Sequence, residues 1–377
     1  MTPYIRARSF LSSPHYTSPP VSDMPPPVSA TTAGGQAGPV PFKDVVVDDD
    51  DGAAVTRQPA AEEYRDAIAA LPLKQSSTPS RRLLQYKSTW FLEQWVPGTI
   101  ALHRRFEARA GDIILASLPK CGTTWLKALA FAAAARARYP PGDGDRHPLL
   151  RLNPHDCVPF VEVTYNAGEE AKLNAAPSPR LVTTHAPYSV LPTSVTESSS
   201  CKIIYICREP KDMLISCWHF LNKHSKYNTM PFSEIWNSIY NGTYYGSPIW
   251  EHILGYWNMS KTKSDSVLFL KYEEVLRDPM TNVEKIAEFI GQPFSDAEKE
   301  AGIIESIVKL CNFENLKALG VNSKGIHQKL IAEVPSESFF RKGVVGDWVN
   351  YVTPDMAERM DEFLAEKFRG SGFSFTE

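Results

Sequence analysis

The chain has 377 residues, 43% of them hydrophobic, which is enough to bury one large core or two modest ones. Its formal net charge of −3 argues against a general polyanion binder, so no nucleic acid partner is expected and any basic site must be local. No apolar run approaches the ~20 residues that span a bilayer, and six cysteines without a Cys-x-x-Cys pair indicate free thiols in a reducing compartment.

The N-terminal region differs in composition from the rest of the chain. Residues 1–60 are rich in Pro, Ser, Gly and Ala, which predicts a disordered tail. Residues 61–82 are expected to form a short helix and a polar linker, and residues 83–377 a globular domain. The first 22 residues weakly resemble an organelle transit peptide, but their few arginines favour a dispensable tail and a cytoplasmic protein.

A buried strand followed by a helix organises the domain. Residues 113–116 are an apolar run typical of a parallel strand that is buried on both faces. Gly122 permits a tight turn, and Thr123 or Thr124 can cap a helix that continues to Phe131. The start of a helix presents unpaired N–H groups and the positive end of its dipole, so this turn is suited to an anion. Lys120 and the two threonine hydroxyls make it a phosphate site.

Later segments repeat the alternation of strand and helix. Short apolar strands are expected over 181–184, 201–207 and 267–270. This order predicts a three-layer α/β domain, P-loop-like, with a mainly parallel central sheet flanked by helices. His185 and Arg208 each follow a strand, so both should lie at the carboxyl edge of the sheet, where ligands bind.

Three separated motifs, at residues 119–125, 208–216 and 341–348, resemble those of the soluble, cytosolic sulfotransferases, and the resemblance is to plant-like members. Residues 119–125 resemble the family's 5′-phosphosulfate loop, with Cys121 where serine is usual. Residues 208–212 with Ser216, and residues 341–348, resemble its contacts to a 3′-phosphate. The resemblance covers roughly residues 85–360 and implies that 83–377 is a sulfotransferase domain. It also implies that the sulfuryl donor is 3′-phosphoadenosine 5′-phosphosulfate, with no metal.

The resemblance assigns a set of nucleotide-binding residues. Trp125 and Phe313 are expected to stack on opposite faces of the adenine, while Tyr272 and Cys311 approach its edge. The complete set is Lys120, Cys121, Gly122, Thr123, Thr124, Trp125, Arg208, Ser216, Tyr272, Cys311, Phe313, Phe340, Arg341, Lys342 and Gly343.

The same resemblance implies the catalytic residues. His185, in a Thr-His-x-Pro sequence, matches the family's general base, and Lys120 would stabilise the leaving phosphate. Thr183 stands where animal members carry a lysine, so Thr183 or Thr184 is expected to assist by hydrogen bonds. His155 is an alternative base.

The acceptor should be a small molecule with a hydroxyl group. His155 is also expected to line its pocket, together with Phe160 and Tyr188. The wider aromatic supply predicts an apolar or aromatic acceptor of the flavonoid, steroid, terpenoid or hydroxy-acid type. Its members are Trp90, Trp95, Phe160, Tyr165, Tyr188, Tyr240 and Tyr244. A C-terminal motif that begins at Val349 keeps only part of the family's dimer sequence, which favours a monomer or a weak homodimer.

Two other functions compete with sulfuryl transfer. A P-loop nucleotide kinase is the main alternative, although Lys120 precedes the loop glycine and no serine or threonine directly follows a lysine there. A non-catalytic nucleotide binder is the other, and the presence of both Lys120 and His185 argues against it. Cys121, at a helix start beside Lys120, is expected to have a lowered pKa, which raises the hypothesis of redox regulation.

Overall fold

The computed structural model describes residues 38–47, 59–75, 82–142, 144–223, 230–328 and 333–375. Most of the predicted disordered tail, 1–37 and 48–58, lies outside these ranges. Residues 38–47 do not follow the prediction of disorder, because they pack on the domain. Phe42–Asp44 forms a 3-10 helix, Arg151 forms an ion pair with Asp44, and the Lys172 ammonium lies 4.9 Å from the centre of the Phe42 ring.

The described residues form strands and many short helices. The strands are β1 Leu73–Gln75, β2 Arg82–Tyr86, β3 Thr89–Leu92, β4 Ile113–Ser117, β5 Leu181–Thr184, β6 Lys202–Cys207, β7 Val267–Lys271, β8 Ile326–Gln328 and β9 Glu333–Pro335. The α-helices span Ala60–Glu63, Arg65–Ala69, Val96–Arg105, Thr123–Ala134, Pro148–Arg151, Pro154–Cys157, Val161–Asn166, Glu170–Ala175, Thr193–Thr196, Pro210–Lys223, Phe232–Tyr240, Ile249–Thr262, Tyr272–Arg277, Pro279–Phe289, Asp296–Glu300, Ile303–Leu310, Phe313–Ala318, Gly320–Ser323 and Pro354–Phe368. Further 3-10 helices span Glu93–Trp95, Gly144–Arg146, Tyr188–Val190, Ser336–Phe339 and Asp347–Asn350.

The central sheet is parallel and has the strand order β5-β4-β6-β7. Successive residues of β4 point to opposite sides, so that Ile113 and Leu115 join one hydrophobic core and Ile114 and Ala116 the other. Helices cover both faces. The three-layer α/β fold with a mainly parallel sheet is therefore confirmed, and the predicted strands agree with β4 to β7 within a residue at each end.

An antiparallel sheet, β1-β2-β3, precedes the central one and was not predicted. The region expected to be a helix and linker, 61–82, holds two short helices and also β1. Strand β3 is attached to the rest of the domain where the Trp90 N–H donates to the Ser247 carbonyl over 2.9 Å. This bridge joins segments that are distant in sequence, whereas the main partner of β3 is the adjacent strand β2.

The carboxyl edge of the central sheet gathers the predicted polar side chains. The chain leaves β4 just before Lys120, β5 just before His185 and β6 just before Arg208. Because the three strands are adjacent and parallel, these residues emerge at one edge. Within the described part of the chain, no helix combines the length and apolar character needed to cross a bilayer.

Candidate active site

Most of the predicted site residues line one cavity of about 1010 Å³ at this edge. The cavity-lining members are Lys120, Gly122, Thr123, Thr124, Trp125, His155, Phe160, His185, Arg208, Ser216, Tyr272, Phe313, Phe340, Arg341, Lys342 and Gly343. Cys121, Cys311 and Tyr188 do not line it. The phosphate loop, the candidate base His185 and the predicted 3′-phosphate contacts around Arg208 and Arg341 therefore line the same cavity.

The loop between β4 and the following helix has the tight geometry that its sequence predicts. Gly122 has a φ of 93°, and a Cβ added there would lie 2.6 Å from Cδ2 of Tyr272. Only glycine fits this turn. The helix begins at Thr123, whose hydroxyl lies 2.7 Å from the Ser117 hydroxyl. The first N–H groups of a 12-residue helix thus start beside the cavity, where they favour an anion.

Lys120 contributes a cation whose charge is sensitive to its surroundings. Burial, together with the nearby Arg208 and Arg341 guanidinium groups, lowers the pKa of its ammonium to about 8. Its Nζ lies 4.1 Å from the centre of the Phe220 ring. An arriving phosphate would offset both effects and favour the charged lysine.

The expected reactivity of Cys121 is wrong. Its side chain is 1% exposed, and burial raises the pKa of the thiol well above its usual range. Burial disfavours the thiolate more strongly than the nearby Arg208 favours it. Cys311 is also buried and its thiol does not reach the cavity, but its carbonyl accepts a hydrogen bond of 3.0 Å from the Trp125 indole.

A second cationic group lies beside the loop. Arg208 donates to the Val344 carbonyl over 2.8 Å, while its buried Nε–H has no hydrogen-bond partner within the described ranges. Asp347 accepts from Arg341 and, over 2.6 Å, from Lys342. Although burial acts to raise it, hydrogen bonds from Lys342, Arg341 and Asn350 hold the pKa of Asp347 at about 2. The fixed carboxylate orients two cations toward the cavity.

The segment 341–348 is clamped to the helix that follows Arg208. Asp212 accepts hydrogen bonds from the Gly346 and Trp348 N–H groups, over 2.7 and 3.0 Å. The same carboxylate lies 3.5 Å from the Arg208 guanidinium. Two motifs that are more than 130 residues apart in sequence are therefore held together at Asp212.

Aromatic rings surround the region between these cations. Trp125 lies edge-on to Tyr272, with ring centres 5.7 Å apart. Gly343 has a φ of 69°, and a Cβ there would lie 2.6 Å from the Phe313 ring. The loop at Gly343 thus packs directly against Phe313. Trp125 and Phe313 both line the cavity, as the predicted stacking on adenine requires.

His185 lies at the cavity wall with a defined tautomer. Its Nδ1 is 2.7 Å from the Ser117 carbonyl, and because a carbonyl only accepts, Nδ1 carries the proton. In the neutral ring the lone pair is then on Nε2, as a general base needs. The backbone carbonyl oxygen of His185 lies 3.2 Å from Nε2 of His252. The sequence did not indicate His252 as a site residue.

An aromatic cage surrounds the imidazole of His185. The ring centres of Phe160, Trp95 and Tyr245 lie 4.5, 5.7 and 6.1 Å from it. Tyr245 was not among the predicted aromatics, whereas Tyr244 lines the cavity as expected.

Four of the expected acceptor-site aromatics lie away from the cavity lining: Trp90, Tyr165, Tyr188 and Tyr240. The assignment of Tyr188 to the acceptor pocket is wrong, because its ring packs on Tyr256 and its hydroxyl donates to the Thr196 carbonyl.

The two threonines before His185 do not face the cavity, so their expected assistance by hydrogen bonds is not supported. The Thr184 hydroxyl donates to Glu162 over 2.6 Å, and the His185 N–H donates to the same carboxylate oxygen over 2.9 Å. Glu162 is 1% exposed, and burial raises the pKa of its carboxyl group. The buried Glu162 side chain thus fixes the backbone at His185. A glutamate within an apolar stretch of sequence was the one signal that could have revealed this residue.

His155 lines the cavity but is engaged behind the loop. Its Nε2 lies 3.0 Å from the Thr124 hydroxyl and its Nδ1 lies 2.9 Å from the ammonium of Lys127. Since an ammonium only donates, the Nδ1 lone pair is used as an acceptor, which argues against His155 as the alternative base. Lys127 was not predicted, although a lysine among alanines and leucines is the signal that could have revealed it.

Comparisons with known proteins identify the family. The sulfotransferase domain model matches residues 110–372. Flavonol 3-sulfotransferase of Flaveria bidentis is 41% identical over 312 residues, which cover 81% of this chain and 98% of that protein. Cytosolic sulfotransferase 17 of Arabidopsis thaliana is 38% identical over 340 residues, covering 88% and 97%.

Solved structures agree with this relation. A mouse sulfotransferase crystallised in complex with PAP aligns with a TM-score of 0.57 and 28% identity, over 77% of this chain and 95% of that one. The match to the family model covers the loop, the base and the two cationic motifs. The chain therefore belongs to the sulfotransferase domain family and is a sulfotransferase.

Proposed function

We propose that this sulfotransferase moves a sulfuryl group from 3′-phosphoadenosine 5′-phosphosulfate to a hydroxyl of a small aromatic or apolar metabolite. The observation that carries the proposal is the cavity in which a tautomer-fixed His185 lies together with Lys120 and the second cationic group. A donor with phosphate at both ends needs two separate cationic sites, and the mouse relative was crystallised with PAP. A nucleotide kinase does not fit the family to which the chain belongs.

The proposed residues divide the chemistry between them. The acceptor oxygen bonds to sulfur while the bond between sulfur and the 5′-phosphate oxygen breaks. Nε2 of His185 takes the proton of the acceptor hydroxyl. The Lys120 ammonium and the helix N–H groups stabilise the charge that passes to the leaving phosphate. Arg208, Ser216 and the 341–343 segment hold the 3′-phosphate.

The aromatic cage supports a flat acceptor of the flavonol type. Phe160, Trp95 and Tyr245 offer ring faces and edges around His185, where a phenolic hydroxyl would have to lie. The Flaveria relative is named for a flavonol. Steroid, terpenoid and hydroxy-acid acceptors serve as the comparison panel.

The domain limits and location are part of the proposal. Residues 83–377 form the catalytic core, onto which residues 38–47 and the elements of 60–75 pack. The enzyme acts as a monomer or weak homodimer on small molecules, without a metal. We place the enzyme in the cytoplasm, since the Arabidopsis relative is named cytosolic. A fusion of residues 1–60 to a fluorescent protein that entered an organelle would contradict this location.

Two substitutions separate catalysis from binding. His185→Ala should lower turnover of a flavonol by about 10²–10⁴-fold and leave the affinity for adenosine 3′,5′-bisphosphate unchanged, because only the base is lost. Arg208→Ala should weaken that affinity instead. Turnover with labelled donor and titration calorimetry measure the two effects, with Tyr188→Phe, outside the cavity, as the matched control. Normal turnover in His185→Ala would reassign the base.

A further inference from the structure

Behind the phosphate loop, three side chains form a hydrogen-bonded chain. Lys127 is 0% exposed, and its Nζ lies 2.9 Å from Nδ1 of His155 and 2.8 Å from the Val158 carbonyl. The same Nζ lies 3.7 Å from the centre of the Phe160 ring. On its other side, Nε2 of His155 lies 3.0 Å from the hydroxyl oxygen of Thr124. We call this chain of Lys127, His155 and Thr124 the relay.

The donors and acceptors of the relay can point in only one direction while Lys127 is charged. An ammonium has N–H donors and no acceptor, so Nδ1 of His155 accepts. A neutral imidazole that accepts at Nδ1 carries its proton on Nε2. Nε2–H therefore donates to the Thr124 oxygen, and the proton of that hydroxyl must be directed elsewhere.

Thr124 lies where a donor can meet an anion. It is the second residue of the helix that starts at Thr123, and it lines the cavity beside Gly122. With its oxygen already accepting from His155, its O–H can donate into the cavity. We infer that Lys127 and His155 are positioning residues that make Thr124 a hydrogen-bond donor to the 5′-phosphosulfate, an assignment that rests on the proposed function.

Burial of Lys127 argues for such a task. Burying an ammonium costs free energy that its attraction to neighbouring groups offsets only in part, and an apolar side chain of similar volume would pack there without that cost. The carbonyl of Val158 and the face of Phe160 stabilise the charge locally. A charge so placed polarises His155 and strengthens its bond to Thr124.

The test compares three isosteric variants on two ligands. Lys127→Met, His155→Phe and Thr124→Val should each weaken the affinity for adenosine 3′,5′-bisphosphate by about tenfold, the loss expected for one hydrogen bond to a charged group. Adenosine 3′-monophosphate lacks the 5′-phosphate, so its affinity should stay the same in all three. Because the three act as one unit, Lys127→Met should cost nothing more when added to Thr124→Val.

Each other outcome contradicts the inference. Equal losses for the two ligands would mean a general structural role, and additive losses in the double variant would mean that Lys127 does not act through Thr124. Unchanged affinity for the bisphosphate in Thr124→Val would overturn the inference even if Lys127→Met fails to fold. Failure of the wild-type protein to bind the bisphosphate would instead contradict the proposed donor.

Discussion

Lys120 shows how one residue can be both strained and electrostatically tuned. Its φ of 69° lies in the left-handed region, which costs a non-glycine residue on the order of 1–3 kcal/mol. The preceding strand and the glycine turn hold this conformation. Burial and two neighbouring guanidinium groups lower the pKa of the side chain to about 8. The lysine is thus charged at neutral pH and close to losing its proton.

This pKa predicts a pH dependence of nucleotide binding. The protonated lysine attracts the 5′-phosphate, so the affinity for adenosine 3′,5′-bisphosphate should be highest below pH 8 and fall as pH rises through and above that value. Lys120→Arg keeps its charge over the whole range, so its affinity should vary less. Calorimetric titrations between pH 7 and 10 measure both, and equal slopes in the two proteins would show that another group titrates.

The elements that carry the site are joined by short, specific contacts. Asp212, in the helix Pro210–Lys223, accepts from two N–H groups of the 341–348 segment. Gly343 and Gly346 of that segment both have positive φ, but only a Cβ at Gly343 would meet a neighbouring ring, that of Phe313. Gly346 is therefore required only by its backbone conformation, whereas Gly343 is required both by its backbone conformation and by its contact with Phe313.

A pair of alanine substitutions separates these constraints. Gly346→Ala should cost only backbone strain, about 1 kcal/mol of unfolding free energy, because nothing lies within 4 Å of the new methyl group. Gly343→Ala adds a 2.6 Å clash, displaces Phe313 and should weaken adenine nucleotide binding as well. Denaturant unfolding and nucleotide titration of both variants test this. Equal nucleotide affinities would show that Phe313 does not contact the base.

At the scale of the whole molecule, a buried neutral histidine lies on each side of the central sheet. His147 packs on Phe131 in one core, and His252 packs against the stacked pair Tyr205 and Tyr256 in the other. Burial lowers the pKa of each histidine to about 4. Protonation of either one must therefore destabilise the layer around it.

Acid should destabilise the fold in a defined range of pH. The pKa of His147 in the folded protein is below the unfolded value of ~6.5. The free energy of unfolding is therefore unaffected by this group above pH 6.5, and it decreases as the pH falls from 6.5 toward 4. The full loss is roughly 3 kcal/mol. His147→Asn keeps the hydrogen bond that caps the helix at Leu149 but cannot titrate, so its unfolding free energy should fall less between pH 6.5 and 4. The same slope as in wild type would contradict the assignment to His147.

Local patterns were sufficient for the main elements and for many of the site residues. Apolar runs marked β4 to β7, and the turn residues around Gly122 marked the phosphate loop, because a strand, a turn and a helix start are decided by neighbours in sequence. Arg208 and His185 could be placed because each follows a strand of a parallel sheet. The short strand β1 was not predicted, because its three residues form a strand only through pairing with β2.

Sequence alone therefore determined the layered fold, the order of the motifs and the types of side chain at the edge of the sheet. It could not determine which side chains face the cavity. Cys121 and Tyr188 were misjudged, and Lys127, Glu162 and Tyr245 were missed, because burial and the direction of a hydrogen bond depend on residues that are distant in the chain. The shifted pKa values of Lys120 and Cys121 have the same origin, because desolvation by burial is the largest cause of both. Burial depends on the packed interior and therefore cannot be predicted from the neighbouring residues in the sequence.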